Sequence, residues 1–362
     1  MKNENITDQT LIEFDIIPNI LFDIFEYAKE MECSDVFLLH NEFPSFRIFR
    51  KVKRNEFLPK MTDEDLNSII DFILKSSDLA HVKKDFTDLD FGFIHDNVRY
   101  RVNIYKNMGH YAVVFRILKN ETPQLNSLNL PESLYELINF PNGLILVTGP
   151  TGSGKSSTLA ALINEINKEK EFHIITLEDP IEYIFSSEKS IISQREVHKD
   201  VSGYADALKS ALRESPDVIF VGEMRDPETI AATLTAAETG HLVFSTLHTT
   251  SASKTIDRII DVFSADKQAQ IKTQLASTLR AVISQILLPK ADGTGMVPAI
   301  EVMIVNDAIS TYIRNNQKNM IESEMQTQRK LGMISMSKSI ENLVENGVVS
   351  SEEAKPYLKL RK

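Results

Sequence analysis

Gly149-Pro150-Thr151-Gly152-Ser153-Gly154-Lys155-Ser156, preceded by the apolar run Leu144-Ile145-Leu146-Val147 and followed by an amphipathic stretch, is the segment whose reading decides the fold. A G-x-x-x-x-G-K-S spacing between a strand and a helix is the pattern of a phosphate-binding loop. Its glycines let successive backbone N–H groups turn inward on an anion, and the helix that follows adds its positive end. Lys155 supplies a mobile charge for terminal phosphates, and Ser156 is the hydroxyl placed to ligand Mg2+. Ser157 completes the expected cradle, which predicts a bound nucleotide with Mg2+ as its companion ion and leaves the base open.

The 362 residues exceed one typical core, so two domains and a smaller appendage are expected. Forty basic against 51 acidic residues leave a net charge of −11, which argues against nucleic acid as the main partner. A single cysteine, Cys33, excludes disulfides and a four-cysteine zinc module. No His or Cys group has metal-ligand spacing, so no zinc site is expected. Met1-Lys2-Asn3-Glu4-Asn5 lacks the apolar core of a signal peptide and no segment approaches a membrane span, which predicts a cytoplasmic chain.

Before the loop, Leu11, Phe14, Ile17, Leu21, Ile24, Phe25 and Ala28 recur at helical spacing around Pro18. Strands are expected at 36–39, 46–49, 89–94, 98–105 and 111–117, with Thr62-Asp63-Glu64-Asp65 capping a helix toward Leu74. This is an α+β first domain over residues 1–118, and the Pro-, Asn- and Ser-rich stretch 119–131 reads as a linker. Arg99, Arg101, Asn103 and Tyr105 share one face of a strand, for which a solvated sheet face is a sufficient explanation.

After the loop, apolar strands alternate with helical segments, the signature of a mostly parallel α/β sheet over 132–290. Glu178-Asp179-Pro180-Ile181-Glu182 and Gly222-Glu223 follow two of these strands, so their acids lie at the carboxyl edge where such sheets bind ligands. Glu223 and Glu182 are therefore candidates for positioning water. His248 follows a further strand and is placed to sense a terminal phosphate, while His241 reads equally well as a structural hydrogen-bonder. Beyond Ser253 the pattern is helical as far as Leu288, with a break near Ser264. A strand near Val297–Met303 and several helices complete a C-terminal region over 291–362, in which Met325 to Met336 reads as packing surface.

The phosphate loop, Leu177-Glu178-Asp179-Pro180-Ile181-Glu182-Tyr183, Gln194-Arg195-Glu196-Val197, Gly222-Glu223-Met224-Arg225-Asp226 and Ala236-Ala237-Glu238-Thr239-Gly240-His241 occur in an order that resembles the PilT type of type IV pilus retraction motor, within the secretion-ATPase superfamily. The resemblance implies a RecA-like P-loop ATPase domain, an N-terminal PAS-like α+β domain and a C-terminal helical extension. It also implies a homohexamer docked on an inner-membrane pilus platform protein, hydrolysing ATP with Mg2+ to power retraction and twitching motility. Glu223 then matches the Walker B glutamate, Glu178 to Glu182 the Asp box, and His241 to His248 the His box. Arg101 and Arg116 match arginines that approach the phosphates, which gives the arginine face a functional reading. The chain departs from the pattern at Ala308-Ile309-Ser310-Thr311-Tyr312-Ile313, where such motors usually carry Ala-Ile-Arg-Asn-Leu-Ile, and at Gly109, often an arginine. An accessory paralogue beside another pilus motor, or a nucleotide-gated regulatory ring with low turnover, stays open. A DNA translocase is disfavoured by the negative charge.

Overall fold

The computed structural model describes residues 17–48, 51–77, 79, 81–82, 85–118 and 122–359. The chain forms two compact units, Met1–Asn120 and Glu121–Lys362. Expected features at Leu11, Phe14, Phe49 and 119–121 lie outside the described residues.

The first unit runs α1 (Asn19–Glu30), β1 (Asp35–Leu39), β2 (Ser45–Ile48), β3 (Lys51–Arg54), α2 (Asp63–Ser76), β4 (Asp88–His95), β5 (Val98–Asn107) and β6 (His110–Leu118). Its sheet has the order β3-β2-β1-β6-β5-β4, antiparallel throughout. Leu21, Ile24, Phe25 and Ala28 of α1 are buried, and α2 buries Leu66, Ile69, Ile70, Ile73 and Leu74. Their helical spacing places one apolar stripe of each helix in a core shared with Tyr100, Val102 and Phe115. A capping box starts α2: Thr62 Oγ1 accepts from Asp65 N, and the Asp65 carboxylate accepts from Thr62 N. Such a cap contributes about 1 kcal/mol. β3 escaped the sequence reading because Lys-Val-Lys-Arg is exposed at every position, so no burial alternation marks it.

The second unit contains β7 (Gly143–Thr148), α3 (Lys155–Glu169), β8 (His173–Glu178), β9 (Ile191–Glu196), α4 (Tyr204–Ala211), β10 (Val218–Val221), α5 (Pro227–Glu238), β11 (Leu242–Leu247), α6 (Ala252–Asp261), α7 (Ala265–Thr278), β12 (Leu279–Pro289), β13 (Met296–Ile304), α8 (Asp307–Arg314), α9 (Lys318–Thr327), α10 (Met336–Glu345) and α11 (Ser351–Lys359). Its sheet order is β13-β12-β7-β11-β10-β8-β9, parallel except for the β12–β13 pair. Every residue of β7, β10 and β11 is buried, as a sheet covered on both faces requires. This is the expected RecA-like α/β core, with apolar layers on each side. Leu125, inside the stretch read as a linker, is buried in one of those layers.

One expectation fails: the helix expected to reach Leu288 stops at Thr278, and 279–289 is a strand. Tertiary context decides, because β12 pairs with the central β7 on one side and β13 on the other, and Ala281, Val282 and Ile283 are fully buried between them. On β13, the buried Glu301 carboxylate accepts from Ala252 N at 2.8 Å and Met336 N at 3.4 Å, serving the first turns of α6 and α10 together. The outer edge of β13 is itself covered: Val302 and Ile334 exchange two backbone hydrogen bonds, and Ile300 N donates to Ser339 Oγ. Met325, Met333 and Met336 are buried, consistent with a packing role.

Candidate nucleotide site

The loop leaves β7 at Thr148 and enters α3 at Lys155. Gly149 has φ +148°, and a Cβ there would collide with the Gln285 carbonyl oxygen and Ser153 Oγ. Gly154, at φ +88° before α3, has Gln285 Nε2 at 2.8 Å from where its Cβ would stand. The glycines thus permit both the turn and a close approach to β12. Thr158 Oγ1 donates to Gln285 Oε1 at 2.8 Å, and Thr148 Oγ1 lies 2.9 Å from Ser284 Oγ, so β12 forms the wall behind the loop. Gln285 is a positioning residue that the sequence reading missed, because 279–288 was assigned to a helix; its β-branched neighbours Val282 and Ile283 were the available signal.

Pro150, Thr151 and Gly152 are exposed, Ser156 and Ser157 are half-buried, and Ser153 Oγ is buried without a hydrogen-bond partner. Lys155 Nζ donates to the Gly149 carbonyl at 2.9 Å and the Pro150 carbonyl at 3.2 Å. Burial lowers the pKa of that ammonium, while Glu223 and Glu182 pull it back up. The charges of Glu223 and Glu182 therefore reach Lys155. Ser157 Oγ, 2.8 Å from the Tyr183 hydroxyl, ties α3 to the acidic segment after β8.

Glu223 follows β10, with Arg225 Nη2 at 2.8 Å and His248 Nε2 at 3.3 Å from its carboxylate oxygens. Burial opposes ionisation, but Arg225 and His248 together outweigh it and hold the carboxyl below its ordinary value. Glu178, at the end of β8, accepts from Thr176 Oγ1 at 2.7 Å, Gln194 Nε2 at 3.3 Å and Glu182 N at 3.4 Å. Deep burial nevertheless pushes its pKa up to about 7, against those donors. His248 and His241 flank opposite ends of β11, and His241 Nδ1 lies 3.0 Å from the Ala236 carbonyl. His241 makes a hydrogen bond to the backbone of α5, whereas His248 reaches Glu223.

Arg101 and Arg116 belong to the first unit, where β5 and β6 pair them directly. Arg101 Nε bonds both Asp90 oxygens, at 3.0 and 3.1 Å. Arg116 Nε donates to the buried Asp35 at 3.0 Å, and Arg47 Nε lies 3.0 Å from the other Asp35 oxygen. Both arginines are thus engaged by carboxylates of their own sheet.

The family model described as type II/IV secretion system protein matches residues 85–296. The chain belongs to this family. Two relatives of this secretion-family chain span most of its length. A "Twitching motility protein" of Neisseria gonorrhoeae is 45% identical over 313 residues, covering 86% of this chain and 83% of the relative. The "Type IV pilus retractation ATPase PilT" of Pseudomonas aeruginosa is 42% identical over 339 residues, covering 93% and 98%. A crystal structure of the pilus retraction motor PilT with bound ADP aligns at TM-score 0.83 and 43% identity, over 92% of this chain and 95% of that one.

Proposed function

We propose that the chain is an ATP hydrolase that powers type IV pilus retraction as a ring of six copies. The carrying observation is the convergence of Lys155, Glu223 and Glu182 beside the phosphate loop, in a chain 42% and 45% identical to proteins named for retraction and twitching. The donor set suits a magnesium nucleotide: a Ser156 hydroxyl at the head of α3, two carboxylates, a buried unpartnered Ser153 Oγ and a loop free of Cβ atoms where it bends. Bound there, Mg2+ supplies positive charge to the β and γ phosphates.

Lys155 exchanges the Gly149 and Pro150 carbonyls for phosphate oxygens, which compensate an ammonium that burial has made costly. Glu223, kept ionised by Arg225 and His248, accepts a hydrogen bond from water and orients it for in-line attack. Glu182 assists from the neighbouring segment, and His248 links the phosphate end of the site to Glu223. The role of Arg101 and Arg116 is to meet charge on the transferred phosphoryl, for which each must first leave Asp90 or Asp35. The ring acts at the cytoplasmic side of an inner-membrane pilus platform; among the described residues no helix is long and apolar enough to cross a membrane.

A second reading, an accessory ring with low turnover, draws on the departure in α8. There Ser310 Oγ donates to the Ala276 carbonyl of α7, where retraction motors usually carry arginine. Steady-state ATPase assays with and without DNA, and restoration of twitching in a retraction-deficient host, separate the readings. DNA-independent turnover with twitching restored by this chain alone is expected. Turnover no higher than that of Lys155→Ala defeats the motor reading, and twitching restored only beside a second motor supports the accessory one.

A further inference from the structure

We propose that His40, Asp63 and His110 of the first unit form a binding site for a divalent transition metal of the Zn2+ class. His40 follows β1, His110 opens β6, and Asp63 is the first residue of α2. One ligand atom from each lies within 4.8 Å of the other two, and among the described residues this is the one group of His, Cys, Asp and Glu so placed.

The fold holds the three in register. β1 and β6 are antiparallel, with Leu39 opposite Ala112, so the chain just past β1 lies beside the start of β6. Asn41 N donates to the Met61 carbonyl at 2.8 Å and Met61 N to the Glu42 carbonyl at 3.0 Å, which fastens the turn after β1 to the segment entering α2. The capping box then fixes the first turn of α2, and with it Asp63. Two backbone hydrogen bonds and a cap are a built scaffold, and metal sites need one.

The side chains are oversubscribed as a hydrogen-bonded group. His110 Nδ1 lies 2.9 and 3.0 Å from the two Asp63 oxygens. His40 Nδ1 also approaches Asp63, at 3.0 Å, yet the angles give it no hydrogen bond, and the atom is shielded from solvent. The two imidazoles stack at 3.8 Å with only 3° between their planes, so both Nδ1 atoms face the same carboxylate. A solvent-shielded imidazole nitrogen that makes no hydrogen bond is costly. A cation held between the three would draw on both Nδ1 lone pairs and one carboxylate oxygen, and the parallel rings must turn from their stack to aim those lone pairs at it.

Two imidazoles and one carboxylate select against Mg2+ and Ca2+, which take oxygen ligands, and suit Zn2+ with water completing a tetrahedron. Asp63 is half-exposed, which leaves a route of entry. Bound metal would join β1, α2 and β6 at one point. Because a ligating imidazole must offer a free lone pair, protons and metal compete for the two rings.

The test is a Co2+ titration of the untagged, nucleotide-free full chain, followed by its visible d–d absorption. One saturable equivalent per chain is expected, displaced by Zn2+ but not by Mg2+. Asp63→Asn keeps the side-chain shape at the helix start and His110→Phe keeps a ring against His40; each is expected to weaken binding by about 100-fold or more. Zn2+ should raise the melting temperature of the parent chain and of neither variant, and unchanged ATP affinity serves as the folding control. Absence of saturable binding, or parent-like affinity in both variants, overturns the proposal.

Discussion

The phosphate loop draws its groups from consecutive residues 149–157, whereas the imidazole and carboxylate group of the first unit draws three side chains from positions 40, 63 and 110. The loop is a local structure whose chemistry is carried mainly by backbone N–H groups, so glycine spacing announces it. The second group has no local signature, and only strand pairing and a helix cap bring it together. Between these extremes stand the acids of the second unit, each unremarkable in sequence but placed together by a parallel sheet that delivers strand ends to one edge.

The comparison breaks first, and with the largest effect, at Lys155. Lys155→Ala should weaken ATP binding by at least a hundredfold, on the order of 3–5 kcal/mol for a lost charge partner, in equilibrium titration with a fluorescent nucleotide. Unchanged affinity would show that the assembled acids, not the contiguous loop, define the site. Glu223→Gln should keep ATP affinity while turnover falls about 100-fold or more, read by steady-state hydrolysis. Turnover that survives would move the water-orienting role to Glu182.

Glu178 sharpens the comparison through pH. Its carboxyl is raised from the ordinary 4.5 to about 7, so between those values the native chain holds a proton that the unfolded chain has released. Stability attributable to this group therefore falls as pH rises across that window, by about 3 kcal/mol, and is level above it. Urea unfolding at pH 4.5 and 7.5 should show a smaller pH dependence in Glu178→Gln; an identical dependence refutes the assignment. The smallest effects concern the arginines. Arg116→Ala removes one of two arginine partners from buried Asp35, which also accepts from Ser34 Oγ, and should cost about 1–2 kcal/mol. Arg101→Ala loses an exposed pair with Asp90 and should cost under about 1 kcal/mol in thermal melts. Lower turnover in Arg101→Ala at unchanged ATP affinity would support its proposed phosphate role, and full turnover would end it.

Much of the fold was legible where burial is periodic or continuous. The alternation at Tyr100, Val102 and Ile104 gave β5, the apolar run 144–147 gave β7, and the capping signal Thr62-Asp63-Glu64-Asp65 gave α2. β12 was not legible, because Leu279, Val282, Ile283, Ile286 and Leu287 also fit a helical stripe and only pairing with β7 settles the matter. Gln285 was lost with it. At the site, the loop residues and Glu223 carried their own signals. The buried state of Glu178, the retention of Arg101 and Arg116 by Asp90 and Asp35, and the division of labour between His241 and His248 depend on neighbours that sequence spacing does not encode.

The cover over β13 has a consequence for how the chain behaves once its C-terminal region is disturbed. Ile334 and Ser339 occupy outward-facing amide and carbonyl groups of a strand reading Met-Val-Pro-Ala-Ile-Glu-Val-Met-Ile. Stripped of that cover, the strand presents an adhesive border to any other extended chain, and Pro298 interrupts it only near its beginning. Shortening the protein before residue 333 should therefore drive self-association into insoluble material, with the phosphate loop and Glu223 themselves left untouched.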